Sequence, residues 1–99
     1  MDNKQLRQKK ETEKKMEKSF KIFIPTVEDV KEFVQQANRF ACAATIRVNR
    51  YAVDAKSILG VFSVDTSKPV ELIIEAGKNG VDDTEEFYEA IEQFIYKVV

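Results

Sequence analysis

Asp54-Ala55-Lys56-Ser57-Ile58-Leu59-Gly60-Val61-Phe62-Ser63 lies between two segments of very different texture, and its reading orders everything around it. Serine is a residue that caps helices, because its side-chain oxygen accepts from an amide two or three positions on. Ile58, Leu59 and Phe62 follow Ser57 at helical spacing, which predicts a short helix through about Val64. Asp65-Thr66-Ser67-Lys68-Pro69 reads as the loop leaving it. Upstream, Thr45 to Val53 alternates around Ile46, Val48 and Tyr51, so two strands are predicted with Asn49-Arg50 as their hairpin turn. Arginine is a poor occupant of a positive-φ site there, where glycine is easier. Downstream, Val70-Glu71-Leu72-Ile73-Ile74-Glu75-Ala76 is the strongest strand in the chain.

Further out, Ser19-Phe20-Lys21-Ile22-Phe23-Ile24-Pro25 has the composition of a strand that its proline stops. Thr26 then caps a helix, with Asp29 three residues on in a capping-box position, and Val27, Val30, Phe33, Val34 and Ala37 mark one face to about Asn38. After the Gly77-Lys78-Asn79-Gly80 turn, Asp83 with Glu86 forms a second capping-box pattern. Phe87, Ala90, Ile91, Phe94, Ile95 and Val98 predict one face of a long last helix. The order is β-α-β-β-α-β-α. It predicts an α+β open-faced β-sandwich, a four-stranded antiparallel sheet with three helices on one face.

The 99 residues, 43% of them hydrophobic, suffice for one modest core and so for one domain, residues 19–99. Residues 1–18 read as a charged N-terminal extension, a frayed helix or a disordered tail, because Leu6 and Met16 are its only apolar side chains after the initiator. It is basic while the remainder is acidic, leaving a net charge of −1 and no broad field to attract nucleic acid. The arm could touch an acidic partner or nucleic acid, or be a solvated extension without a partner. Cys42 stands alone and is predicted to be a buried apolar thiol. No apolar run approaches the roughly 18 residues of a membrane span, and the N-terminus lacks a signal-peptide core. A soluble, cytoplasmic protein without membrane contact is therefore expected.

The run Lys56-Ser57-Ile58-Leu59-Gly60-Val61-Phe62-Ser63 closely resembles the second-helix region of HPr, the small phosphocarrier of the bacterial phosphoenolpyruvate:sugar phosphotransferase system. The resemblance extends without gaps from Ile22 to Val99, and the predicted element order is that of the HPr fold. It places Ser57 at the family's regulatory serine and Thr26 where the phosphoryl-carrying histidine should stand. The arginine and proline that accompany that histidine correspond to Glu28 and Asp29. The chain contains no histidine at all. Serine kept and histidine lost is a known family arrangement, usually called catabolite-repression HPr, to which this chain is similar. It departs from that arrangement in its longer N-terminal extension, in Glu28 and Asp29, and in Asn49-Arg50.

What the resemblance implies is a protein that cannot act as a phosphohistidine carrier, with Thr26 and Glu28 as a degenerate carrier site. It further implies phosphorylation at Ser57 by HPr kinase/phosphorylase, and partner binding through Ile58, Leu59 and Phe62, with a catabolite-control transcription regulator as the partner. Some of those apolar side chains must also serve the core. Two alternatives stay open at this level. Ser57 can be a plain helix cap, and the whole chain an unphosphorylated, degenerate HPr-like binding domain with an unrelated partner. Strand exchange, and so the oligomeric state, is open too.

Enzyme chemistry finds little to work with. Cys42 has no histidine to activate it, Gly77-Lys78-Asn79-Gly80 is too short for a phosphate-binding loop, and no Cys/His cluster offers a metal site. Asp82, Asp83, Glu85 and Glu86 could attract a divalent ion but also read as a solvated helix start. No catalytic residue, cofactor or metal is expected.

Overall fold

In the computed structural model, which describes residues 17–77 and 80–97, four strands form a single antiparallel sheet. They are β1 (Lys18–Ile22), β2 (Ala43–Val48), β3 (Tyr51–Asp54) and β4 (Val70–Glu75), in the spatial order β1-β4-β2-β3. Residues 1–16, most of the predicted extension, lie outside the described residues, and β1 begins at Lys18, one residue ahead of the expected domain start.

The helices are α1 (Val27–Ala37), α2 (Ile58–Phe62) and α3 (Thr84–Ala90). Alternate residues of the strands point at them: Ile22, Ile46, Leu72 and Ile74 are fully buried, together with Val30, Phe33 and Ala37 of α1 and Phe87 of α3. Each of the larger of these side chains contributes about 1.5–3 kcal/mol through removal from water. Phe33 is central, its ring 6.2 Å from Phe87 and 6.1 Å from Phe94.

The hairpin between β2 and β3 turns at the predicted residues, with Val48 opposite Tyr51. Asn49 takes the left-handed conformation, φ 55°, and Arg50 does not, so the conflict expected at the arginine is avoided. Asparagine tolerates that region well.

The end of the chain departs from expectation. The long last helix stops at Ala90, a short 3-10 turn follows at Glu92–Phe94, and Ile95 bridges to Ile22. Phe23 N donates to Phe94 O at 2.8 Å and Tyr96 N to Lys21 O at 2.9 Å. β1 is a sheet edge whose outer groups need partners, and satisfying them outweighs another turn of helix. Ile91 and Phe94 still reach the core, and Val98 lies outside the described residues.

Candidate functional site

Ser57 sits at the junction of β3 and α2. Its Oγ accepts from Gly60 N at 3.0 Å, its O accepts from Val61 N at 2.9 Å, and its own N donates to Asp54 O at 3.0 Å. The predicted cap is present, and the residue is half-buried, so the hydroxyl is engaged yet reachable. Gly60 permits the arrangement. A Cβ added there would lie 3.2 Å from Ser57 Oγ and 3.3 Å from Ser57 Cβ, closer than ordinary contact.

The short helix has no acidic residue in its first turn. Val61 alone of its residues is buried. Leu59 is 79% exposed, while Ile58 and Phe62, at 37% and 44%, are more than half covered by the fold beside the fully buried Val61. One apolar side chain, Leu59, thus stands in solvent near the serine, with Ile58 and Phe62 partly open beside it.

The approach to Ser57 is tied down by residues that sequence reading passed over. Asn38, at the C-terminal end of α1, donates through Nδ2 to Val34 O at 2.9 Å and to Lys56 O at 3.0 Å. Lys56 Nζ donates to Phe40 O at 2.7 Å, and Lys56 N to Asp54 Oδ1 at 2.9 Å. An Asx-type turn was legible in the spacing of Asp54 and Lys56. The contacts that join α1 to the serine loop had no local signal.

At the other end of α1, Thr26 Oγ1 accepts from Asp29 N at 3.0 Å while Thr26 N donates to Asp29 Oδ2 at 3.4 Å, completing the predicted capping box. Glu28 is exposed in the same first turn. A helix start attracts anions because its amides are unpaired and its dipole end is positive. Here the chain's own hydroxyl and carboxylates occupy that role.

The second predicted capping box is not formed. Asp83 makes no side-chain cap to α3; its Oδ2 accepts from Ala41 N at 2.7 Å and its Oδ1 from Cys42 N at 2.9 Å. Burial works against its charge, but the two amides outweigh burial and hold the carboxyl below its ordinary value of 3.8. The start of α3 is served instead by Asp82 Oδ1, which accepts from Thr84 N at 3.1 Å and Thr84 Oγ1 at 2.7 Å. Among the described residues no three acidic, cysteine or histidine side chains converge on a metal position. Cys42 is buried, and its thiol is pushed up to about 11, by burial first and then by the Asp83 charge. It is a poor nucleophile at neutral pH.

Comparison with known proteins follows the geometry. The family model described as PTS HPr component phosphorylation site matches residues 29–97, beginning just past Thr26 and Glu28. The catabolite repression protein Crh of Bacillus subtilis, solved as a domain-swapped, intertwined dimer, is 28% identical. The match covers 79% of this chain and 90% of that one, with a TM-score of 0.52. The histidine-containing phosphocarrier protein of a Mycoplasma has the same fold, at 24% identity over 77% of this chain and 89% of that one and a TM-score of 0.55. No curated protein sequence matches significantly. Among the described residues no helix is long and apolar enough to cross a membrane.

Proposed function

The chain belongs to the HPr family of the sugar phosphotransferase system, and from that premise we propose that it is a regulatory, protein-binding member that cannot carry phosphohistidine and is switched by phosphorylation at Ser57. The observation that carries the reading is the contrast between a half-buried serine, near the exposed Leu59 and the partly open Ile58 and Phe62, and a helix start at Thr26 closed by its own side chains.

A phosphate on Ser57 adds roughly −1.5 to −2 charge and strong acceptor oxygens. Lys56 supplies a cation next to it in sequence, and no carboxylate stands in the first turn of α2 to repel it. The modified serine with Ile58, Leu59 and Phe62 would offer a partner an anion beside an apolar patch, a combination suited to an arginine flanked by hydrophobic side chains. By family resemblance the modifying enzyme is HPr kinase/phosphorylase and the partner a catabolite-control regulator in the bacterial cytoplasm. The activity is binding rather than catalysis.

Thr26 offers phosphoenolpyruvate-dependent transfer neither an imidazole nor an activating base. Glu28 and Asp29 oppose an incoming phosphoryl group. Incubation with phosphoenolpyruvate and enzyme I is expected to leave the protein unlabelled; acid-labile label at the rate of an ordinary HPr would overturn the carrier half of the proposal.

One observation favours a second reading, in which the domain binds an unrelated partner without modification: Ser57 Oγ is already occupied by Gly60 N as a cap. Treatment with ATP and HPr kinase, followed by mass spectrometry that locates the added phosphate, separates the two. Phosphate on Ser57 is expected. An unmodified serine gives the second reading precedence.

A further inference from the structure

The outer face of the sheet, turned away from the helices, carries a row of charges fixed by strand register. Lys21 of β1 and Arg47 of β2 both stand directly opposite Glu71 of the intervening β4. Neighbouring strands lie about 4.8 Å apart, so the two cations flank one carboxylate across two strand spacings. The loop between α2 and β4 brings Lys68 to the end of this row, and Asn49 of the hairpin turn stands beside it. Together they line a cleft of about 320 Å³.

The carboxylates of the cleft are already engaged. Glu71 accepts from Ser19 Oγ at 2.9 Å and pairs with Arg47 at 3.7 Å. Asp65 Oδ1 accepts from Ser67 N at 3.0 Å and Ser67 Oγ at 2.6 Å. The cations are less fully used: among the described residues Arg47 with Glu71 is the one ion pair at contact distance, and Lys68 acts on Asp65 only from further away. Lys21, Arg47 and Lys68 against Glu71 and Asp65 leave one net positive charge at this concave spot, although the chain as a whole is slightly acidic.

We propose that this cleft is an anion site, and that its ligand is a phosphate dianion, free or as the monoester of a small metabolite. Arg47 has guanidinium donors to spare beyond Glu71 and can meet phosphate oxygens as a planar fork, while Lys21 and Lys68 act as point charges on either side. Asn49 supplies a neutral donor at the rim. A volume near 320 Å³ falls at the small end of ligand sites, enough for a phosphate with a body of a few carbons. The site lies on the opposite face of the sheet from Ser57 and α2, so it stands whether or not the serine is modified.

The test is an amide NMR titration of the full chain with glycerol 3-phosphate, with inorganic phosphate and glycerol as separate arms at constant ionic strength. Saturable shifts are expected at Lys21, Arg47, Asn49 and Lys68, with none from glycerol. Equal affinity for inorganic phosphate assigns the site to the free anion, tighter binding of the ester to a phosphorylated metabolite; both support it. Lys68→Ala is expected to weaken binding by about tenfold, the scale of one charge-assisted contact. Glu71→Gln removes the opposing charge and is expected to tighten binding, a gain that misfolding cannot imitate. Shifts that never saturate, or affinities unchanged in both variants, would sink the proposal.

Discussion

The starts of α1 and α2 use the same device, a hydroxyl that accepts from an amide three residues on, and put it to opposite ends. At Thr26 the cap is reciprocal: Asp29 returns a hydrogen bond, Glu28 adds a second carboxylate, and 11 residues of helix follow. At Ser57 the cap is one-sided, no carboxylate follows, and the helix is 5 residues long. The first arrangement is optimised for holding the helix; carboxylates at a positive dipole end stabilise it by about 0.3–1 kcal/mol each. The second places no carboxylate at its amide end. A cap alone thus says little about anion chemistry, and the charges that accompany it say more.

The largest expected effect tests that contrast directly. Ser57→Ala should abolish all kinase-dependent phosphate incorporation measured by intact mass, while Thr26→Ala leaves it unchanged. Label persisting in Ser57→Ala would erase the distinction between the two ends.

Next in size is the clamp that Asp83 places on the amides of Ala41 and Cys42. Asp83→Ala removes a charged acceptor of two amides and should cost about 2 kcal/mol in denaturant unfolding. Because the folded carboxyl is held below its ordinary value of 3.8, its stabilisation is complete above that pH and is lost as pH falls through the lower, folded value. The gap between wild type and Asp83→Asn should accordingly be wide at pH 7 and narrow steadily below about pH 4. A gap independent of pH would remove the charge from the explanation.

Thr26→Ala should cost about 1 kcal/mol through the lost cap. Ser57→Ala should cost less, since its helix is shorter and its box lacks the return bond. Equal losses in thermal melts would show the two caps to be energetically alike. The smallest effect is expected of Gly60→Ala. The gain of up to about 1 kcal/mol in helix propensity is offset by a Cβ crowding Ser57, so net stability should barely move. Phosphorylation of Ser57 in that variant should nonetheless slow, which a kinase time course measures.

Local chemistry made most of the fold legible. Thr26 with Asp29, Ser57 with Gly60, and the alternation around Ile46 and Leu72 all act within a few residues, and the elements they predict are present. The last helix misled because Ile91 and Phe94 keep helical spacing and remain buried while the backbone changes to a 3-10 turn and then pairs Ile95 with Ile22. That pairing is set by an edge strand more than 70 positions away in sequence. Asp83 misled similarly, its capping-box spacing being overruled by amides at Ala41 and Cys42. In the candidate site the serine was legible. Which apolar neighbours face outward was not, since Ile58, Leu59, Val61 and Phe62 are all apolar and only packing against α1 and the sheet chooses Val61.

That choice gives the segment an unusual freedom. With Val61 alone fully buried, the most outward position of α2, Leu59, can drift without the interior registering the change. Replacements at Leu59, 79% exposed, would scarcely touch a melting curve, whereas those at the half-covered Ile58 and Phe62 would register in it.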